Sequence, residues 1–130
     1  MSAFIFIAVG GAIGSVGRYY ASRLIMETSG GLFPYGTMFV NVTGAILIGF
    51  FAALSAPDSR FFLSPEARLF LMTGMCGGYT TFSTFSLETV ALVGDGQLVA
   101  ASINAVGSVL LCLIAVYLGS TAARLLGGGV

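Results

Sequence analysis

Apolar residues in this chain fall into four long blocks, over about residues 3–26, 36–56, 67–93 and 98–118. Each reaches the roughly 20 residues that an α-helix needs to cross the hydrocarbon core of a bilayer. The stretches between them are short and carry turn chemistry. Ser29-Gly30-Gly31 with Pro34 forms the first, Pro57-Asp58-Ser59 begins the second, and Gly94-Asp95-Gly96 makes the third. Ser64-Pro65-Glu66 has the form of an N-cap with proline at the first helical position. The pattern predicts an all-α membrane protein, a single four-helix transmembrane domain over residues 1–130 with both termini on one side. The apolar start has no charged flank and no small-residue cleavage site, so it is expected to be a retained span rather than a signal peptide. No internal repeat is visible.

The third block differs from the others. Gly74, Gly77 and Gly78 are poor helix formers, and glycine pairs are a common cause of kinks. Residues 80–86 then pack five hydroxyls (Thr80, Thr81, Ser83, Thr84, Ser86) around Phe82 and Phe85. A helix broken near its middle is expected here. Irregular backbone at membrane depth is tolerated where protein buries it or where it lines a cavity. In transporters such breaks expose carbonyls and helix ends that bind ions. The plainer reading is that the hydroxyls bond back to carbonyls four residues earlier and the glycines allow close packing. Phe82 and Phe85, three residues apart, share a face of the half-helix after the break. Their ring edges are positive and can face an anion without holding it as tightly as a full charge would.

Composition narrows the function. Of 130 residues, 57% are hydrophobic and 8% charged, against about 25% charged in a soluble domain. The mean hydropathy is +1.01. Five basic and five acidic residues cancel, leaving no basic patch for nucleic acid. Histidine is absent and Cys76 and Cys112 lie in separate apolar spans, so zinc and thiol chemistry lack ligands and both cysteines are expected to be reduced. No nucleophile–base pair is apparent, and an enzyme is not expected.

The remaining polar residues inside the spans each admit two readings. Asn41, in the second span, is either a helix–helix hydrogen-bonding group or an anion donor through its amide. Asn104, Ser108 and Cys112 recur every four residues on the fourth span, forming one stripe that is either an ion track or a polar packing seam. Gly10 and Gly14 make a small-xxx-small packing face on the first span. Arg18, next to Tyr19 and Tyr20, either snorkels to the headgroups or forms a positive vestibule that concentrates anions. Glu88 is an interfacial acid or a charge partner for an arginine or a cation.

Membrane orientation should follow the arginines. Arg60, Arg68 and Arg124 fall on the side of the termini, with Arg23, and Arg18 if it reaches that interface, on the other. A three-to-two split is either a weak signal or the mark of a chain that inserts both ways round.

The run Gly74-Met-Cys-Gly-Gly-Tyr-Thr-Thr-Phe-Ser-Thr-Phe-Ser-Leu-Glu88 resembles the third-helix signature of the Fluc (CrcB) fluoride channels. So do Gly36-Thr-Met-Phe-Val-Asn-Val-Thr-Gly44 in the second span and Gly10-Gly-Ala-Ile-Gly-Ser-Val-Gly-Arg18-Tyr in the first. The resemblance covers the whole chain. It implies a passive fluoride-selective channel of the bacterial inner membrane that exports fluoride from the cytoplasm. It also implies an antiparallel, dual-topology homodimer with two pores. A structural Na+ would be held by the backbone carbonyls of Gly77 and Thr80 from both subunits. The ring pair would be Phe82 and Phe85 and the pore amide Asn41, with Ser83, Thr84, Asn104 and Ser108 along the anion pathway, Arg18 as the vestibule cation and Glu88 at the vestibule or as a charge partner. The fourth-span stripe departs from the family's usual Tyr-then-Ser pattern, reading Asn104, Ser108, Cys112.

Two other classes fit four small spans. A small dual-topology drug/proton exporter needs a titratable acid within the membrane, yet the first span has none and Glu88 lies near a span end. A non-transport membrane assembly subunit is the third. Ion flux through purified protein in liposomes separates them.

Overall fold

The structure, a computed structural model, describes residues 2–56, 59, 61 and 63–127. Pro57, Asp58 and Arg60, which entered the reading of the second connection and of the charge balance, lie outside the described residues. All regular structure among the described residues is helical. Helix α1 is Ser2–Ser29 and α2 is Tyr35–Leu54. The third span is made of two pieces, α3 over residues 65–79 and α4 over Phe82–Gly94. Helix α5 is Leu98–Gly127. Helices α1, α2 and α5 are each long and apolar enough to cross a bilayer, and the third span is divided by its break. The chain is a multi-pass membrane protein.

Local chemistry explains the ends. Gly30, at φ 59, takes the left-handed conformation that closes α1, and Gly96, at φ 73, does the same between α4 and α5. Ser64 caps α3 by accepting the Ala67 N–H at 3.2 Å, with Pro65 just inside the helix. Helix α3 does not keep one pitch: it widens to a π-helix over Leu69–Cys76 and tightens again over Gly77–Tyr79. A second π turn, Ile103–Gly107, lies in α5.

Helices pair through glycine. On α1, a side chain on Gly10 or Gly14 would run into the backbone of Phe70 or Met75, and on α3, one on Gly74 or Gly78 would run into Gly10 or Gly11. Helices α2 and α5 cross the same way, Gly49 against Val116 and Gly119 against Ile46. In lipid there is no hydrophobic force between helices, so such close backbone contact and the dispersion it gains hold them together. The core is accordingly built of small groups, among them Ala45, Cys76, Ala101, Ala115 and Ala123, with Val40 sealed at its centre. Larger side chains such as Val9, Ile13, Leu110 and Ile114 point outward, as suits an apolar solvent. Both cysteines are free thiols.

Candidate functional site

The helix of the third span runs straight through Gly77 and Gly78 and stops at Thr80 and Thr81. Both are extended, Thr80 at ψ 157 and Thr81 at φ −151, ψ 111. A break inside a membrane strands backbone donors and acceptors that must find partners. Helix α2 supplies them. The side-chain oxygen of Asn41 accepts the Thr81 N–H at 2.7 Å, and its amide donates to the Thr81 carbonyl at 3.0 Å. Thr81 then caps α4, its Oγ1 accepting the Thr84 N–H at 3.2 Å while its hydroxyl donates to Thr84 Oγ1 at 3.0 Å. Gly44, one turn beyond Asn41, leaves room for the Thr80 methyl. Tyr79 meets Thr43 through their hydroxyls at 3.0 Å.

This arrangement has a consequence for two carbonyls. In an unbroken helix Thr81 N–H would bond the Gly77 carbonyl and Thr84 N–H the Thr80 carbonyl. Both donors are diverted, one to Asn41 and one to the Thr81 side chain. Gly77 and Thr80 therefore carry backbone oxygens without their helical partners, and Gly77 lies on the exposed side of the chain.

Beside the break, α2, α4 and α5 enclose a groove of about 370 Å³. Its polar and aromatic lining includes Asn41, Thr81, Phe82, Phe85 and Ser108, with Cys112 one turn beyond. No charged side chain is among its lining residues. The two rings pack with centroids 5.3 Å apart at 42°, but they are not equivalent: Phe85 is 9% exposed and Phe82 76%. One ring is fixed in the helix packing and the other stands at the open side. Asn41 spends one amide hydrogen on Thr81 and keeps a second on the group that lines the groove.

The other residues named from the sequence take different places. Asn104 is 1% exposed and lies behind the groove, donating to Thr89 Oγ1 at 2.8 Å and accepting from Ser108 at 3.3 Å. Thr89 in turn donates to the Phe85 carbonyl. Ser83 and Thr84 are outside the groove, their hydroxyls gathered on Thr81. Thr80 and Ser86 bond back to the Cys76 and Phe82 carbonyls, the plainer role for hydroxyls in a span. Arg18 is half-buried on α1 and does not line the groove.

Glu88 accepts a hydrogen bond from Thr37 at 2.8 Å through one oxygen. The other is buried without a partner among the described residues, open to a donor or a cation. Sequence reasoning missed Thr37. Its signal is spacing: Thr37, Asn41 and Gly44 stand at i, i+4 and i+7 on α2, one face that meets the two halves of the third span.

A family model described as CrcB-like protein, Camphor Resistance (CrcB), matches residues 5–120. The chain is 52% identical over 123 residues to a protein of Opitutus terrae named fluoride-specific ion channel FluC, covering 95% of this chain and 93% of that one. Proteins of the same name from Paramagnetospirillum magneticum and Rhodospirillum rubrum are each 50% identical, the alignments covering 97% and 98% of this chain and 98% of both relatives.

Proposed function

Because the chain belongs to the CrcB-like family, we propose that it is a passive, fluoride-selective channel that lets fluoride leave the cytoplasm across the bacterial inner membrane. It is an ion channel and not an enzyme. The relatives are named for fluoride. The observation in this chain that carries the reading is the uncharged groove where Asn41, Phe82, Phe85 and Ser108 converge beside the break.

Fluoride is small and strongly hydrated, so a pore must replace its water with donors. The groove offers the second amide hydrogen of Asn41 and the positive rims of two rings, and the Ser108 hydroxyl would join them by turning from its bond to Asn104. None is a full charge, so each site is weak enough to leave as well as to enter. Arg18 and Glu88 lie off the groove.

The groove of one chain is open on the Phe82 side, which supports a second copy as its other wall. An antiparallel homodimer would hold two such grooves, hence two pores. The Gly77 and Thr80 carbonyls fit a structural Na+ in chemical terms, being neutral hard oxygens freed of their donors. Two oxygens are too few for a hard cation, so the matching pair from the partner would complete the set. When bound, Na+ would supply a fixed positive charge tying the two breaks together.

The experiment is fluoride efflux from liposomes carrying the purified protein, with chloride as the control anion. Fluoride should leave rapidly and chloride should not. Absence of fluoride flux in well-folded protein, or equal flux of both, overturns the reading.

A further inference from the structure

We infer that Asn41 is the positioning residue that aims the Thr80 carbonyl, so that one side chain couples the cation site at the break to the anion groove. The inference rests on the cation reading above and goes beyond it by naming what builds the site.

The geometry is that of a single peptide unit. The N–H that Asn41 Oδ1 accepts at 2.7 Å belongs to Thr81, and its planar peptide group also contains the Thr80 carbonyl. The described chain has no cis peptide. In a trans peptide the N–H and C=O point in opposite directions, so fixing the N–H on α2 fixes the Thr80 oxygen on the far side, away from α2. Rotating this unit would turn the oxygen away and release the N–H to the Gly77 carbonyl, consuming the second oxygen too. Asn41 thereby protects both oxygens at once. Its amide holds the next peptide as well, through the Thr81 carbonyl at 3.0 Å, which sets where Phe82 begins. Accepting from the N–H also polarises the peptide and makes the Thr80 oxygen a better ligand.

The two halves of the Asn41 amide can be separated. Asn41→Asp keeps an acceptor for the Thr81 N–H and loses both amide hydrogens, the one on the Thr81 carbonyl and the one left for the groove. Asn41→Leu keeps the bulk and loses both. Thermal unfolding of the purified full-length protein is followed in Na+ and in N-methylglucamine, together with fluoride efflux. Both variants should lose fluoride flux. Asn41→Leu should raise the Na+ concentration for half-maximal stabilisation by about tenfold, equivalent to ~1.4 kcal/mol. Asn41→Asp should stay at or below the wild-type value. If wild type is not stabilised by Na+, the cation reading itself fails. If wild type is stabilised and Asn41→Leu responds like it, the cation reading stands and the role of Asn41 is overturned. Amide exchange in the wild type needs no variant: slow exchange at Thr81 is expected, and rapid exchange there also overturns the inference.

Discussion

The two halves of the third span are built on opposite principles. Helix α3 is a packing element, its Gly74 and Gly78 pressed on the backbone of α1 so closely that no side chain fits. Helix α4 has no such seam. It carries hydroxyls and rings, leans on α2 through single polar contacts, and leaves a groove. One half is fixed by what it lacks and the other by what it presents. An element that must stay put can be closed with backbone contact, whereas one that must meet an ion also needs side chains free of packing duty, as the Phe82 ring is and the Phe85 ring is not. The break lies where one regime gives way to the other.

The largest effect should come from violating the first regime. Gly78→Leu would drive a branched side chain into Gly11 backbone, beyond the ~1–3 kcal/mol of ordinary overpacking because neither backbone can yield. No monodisperse protein is expected on size-exclusion chromatography. Gly77→Ala is the control, since its new carbon would meet the Met72 carbonyl at an ordinary 3.8 Å, and a folded chain is expected. The second regime is tested by the rings. Phe85→Ala should lower stability by about 3–5 kcal/mol in denaturant unfolding, because the ring is buried. Phe82→Ile should cost far less stability than Phe85→Ala and still lose most fluoride flux, because bulk is kept and the positive rim is removed. Equal stability losses at the two positions would erase the distinction drawn between them. A smaller loss of stability than that of Phe85→Ala is expected at the junction. Thr81→Val removes the cap of α4 and should cost ~1 kcal/mol in the same unfolding assay, while Thr81→Ser should restore it.

The four spans and the existence of a break were legible because both rest on local composition. The break was expected ahead of Phe82, where it falls, but its cause was not legible. Glycine content pointed to residues 74–78, yet the helix passes through them, held by the α1 seam and relieved by a π-helical stretch. It stops at Thr80 and Thr81 because a residue 40 positions upstream captures the Thr81 backbone. No local pattern announces that capture. The fourth helix likewise runs on to Gly127, past the polar Gly119-Ser120-Thr121. Gly119 is where it crosses α2, and both hydroxyls bond back to the Tyr117 carbonyl. Asn41 was read as either a helix–helix bond or an anion donor. It makes the first to backbone rather than side chain and retains a hydrogen for the second. The stripe of Asn104 and Ser108 divides in the same way, Ser108 at the groove and Asn104 behind it.

The glycine seams also bear on how the chain is made. Helix α1 has its main seam with α3, and α2 has its main seam with α5, so the pairing is interleaved along the sequence. Synthesis delivers the N-terminal elements first. The first span therefore enters the bilayer before its mate has left the ribosome, and the second must wait for the last. Each has to be stable in lipid alone, with its backbone bonded within itself. Assembly is then a late sorting of finished helices, in which the glycine notches act as the address labels.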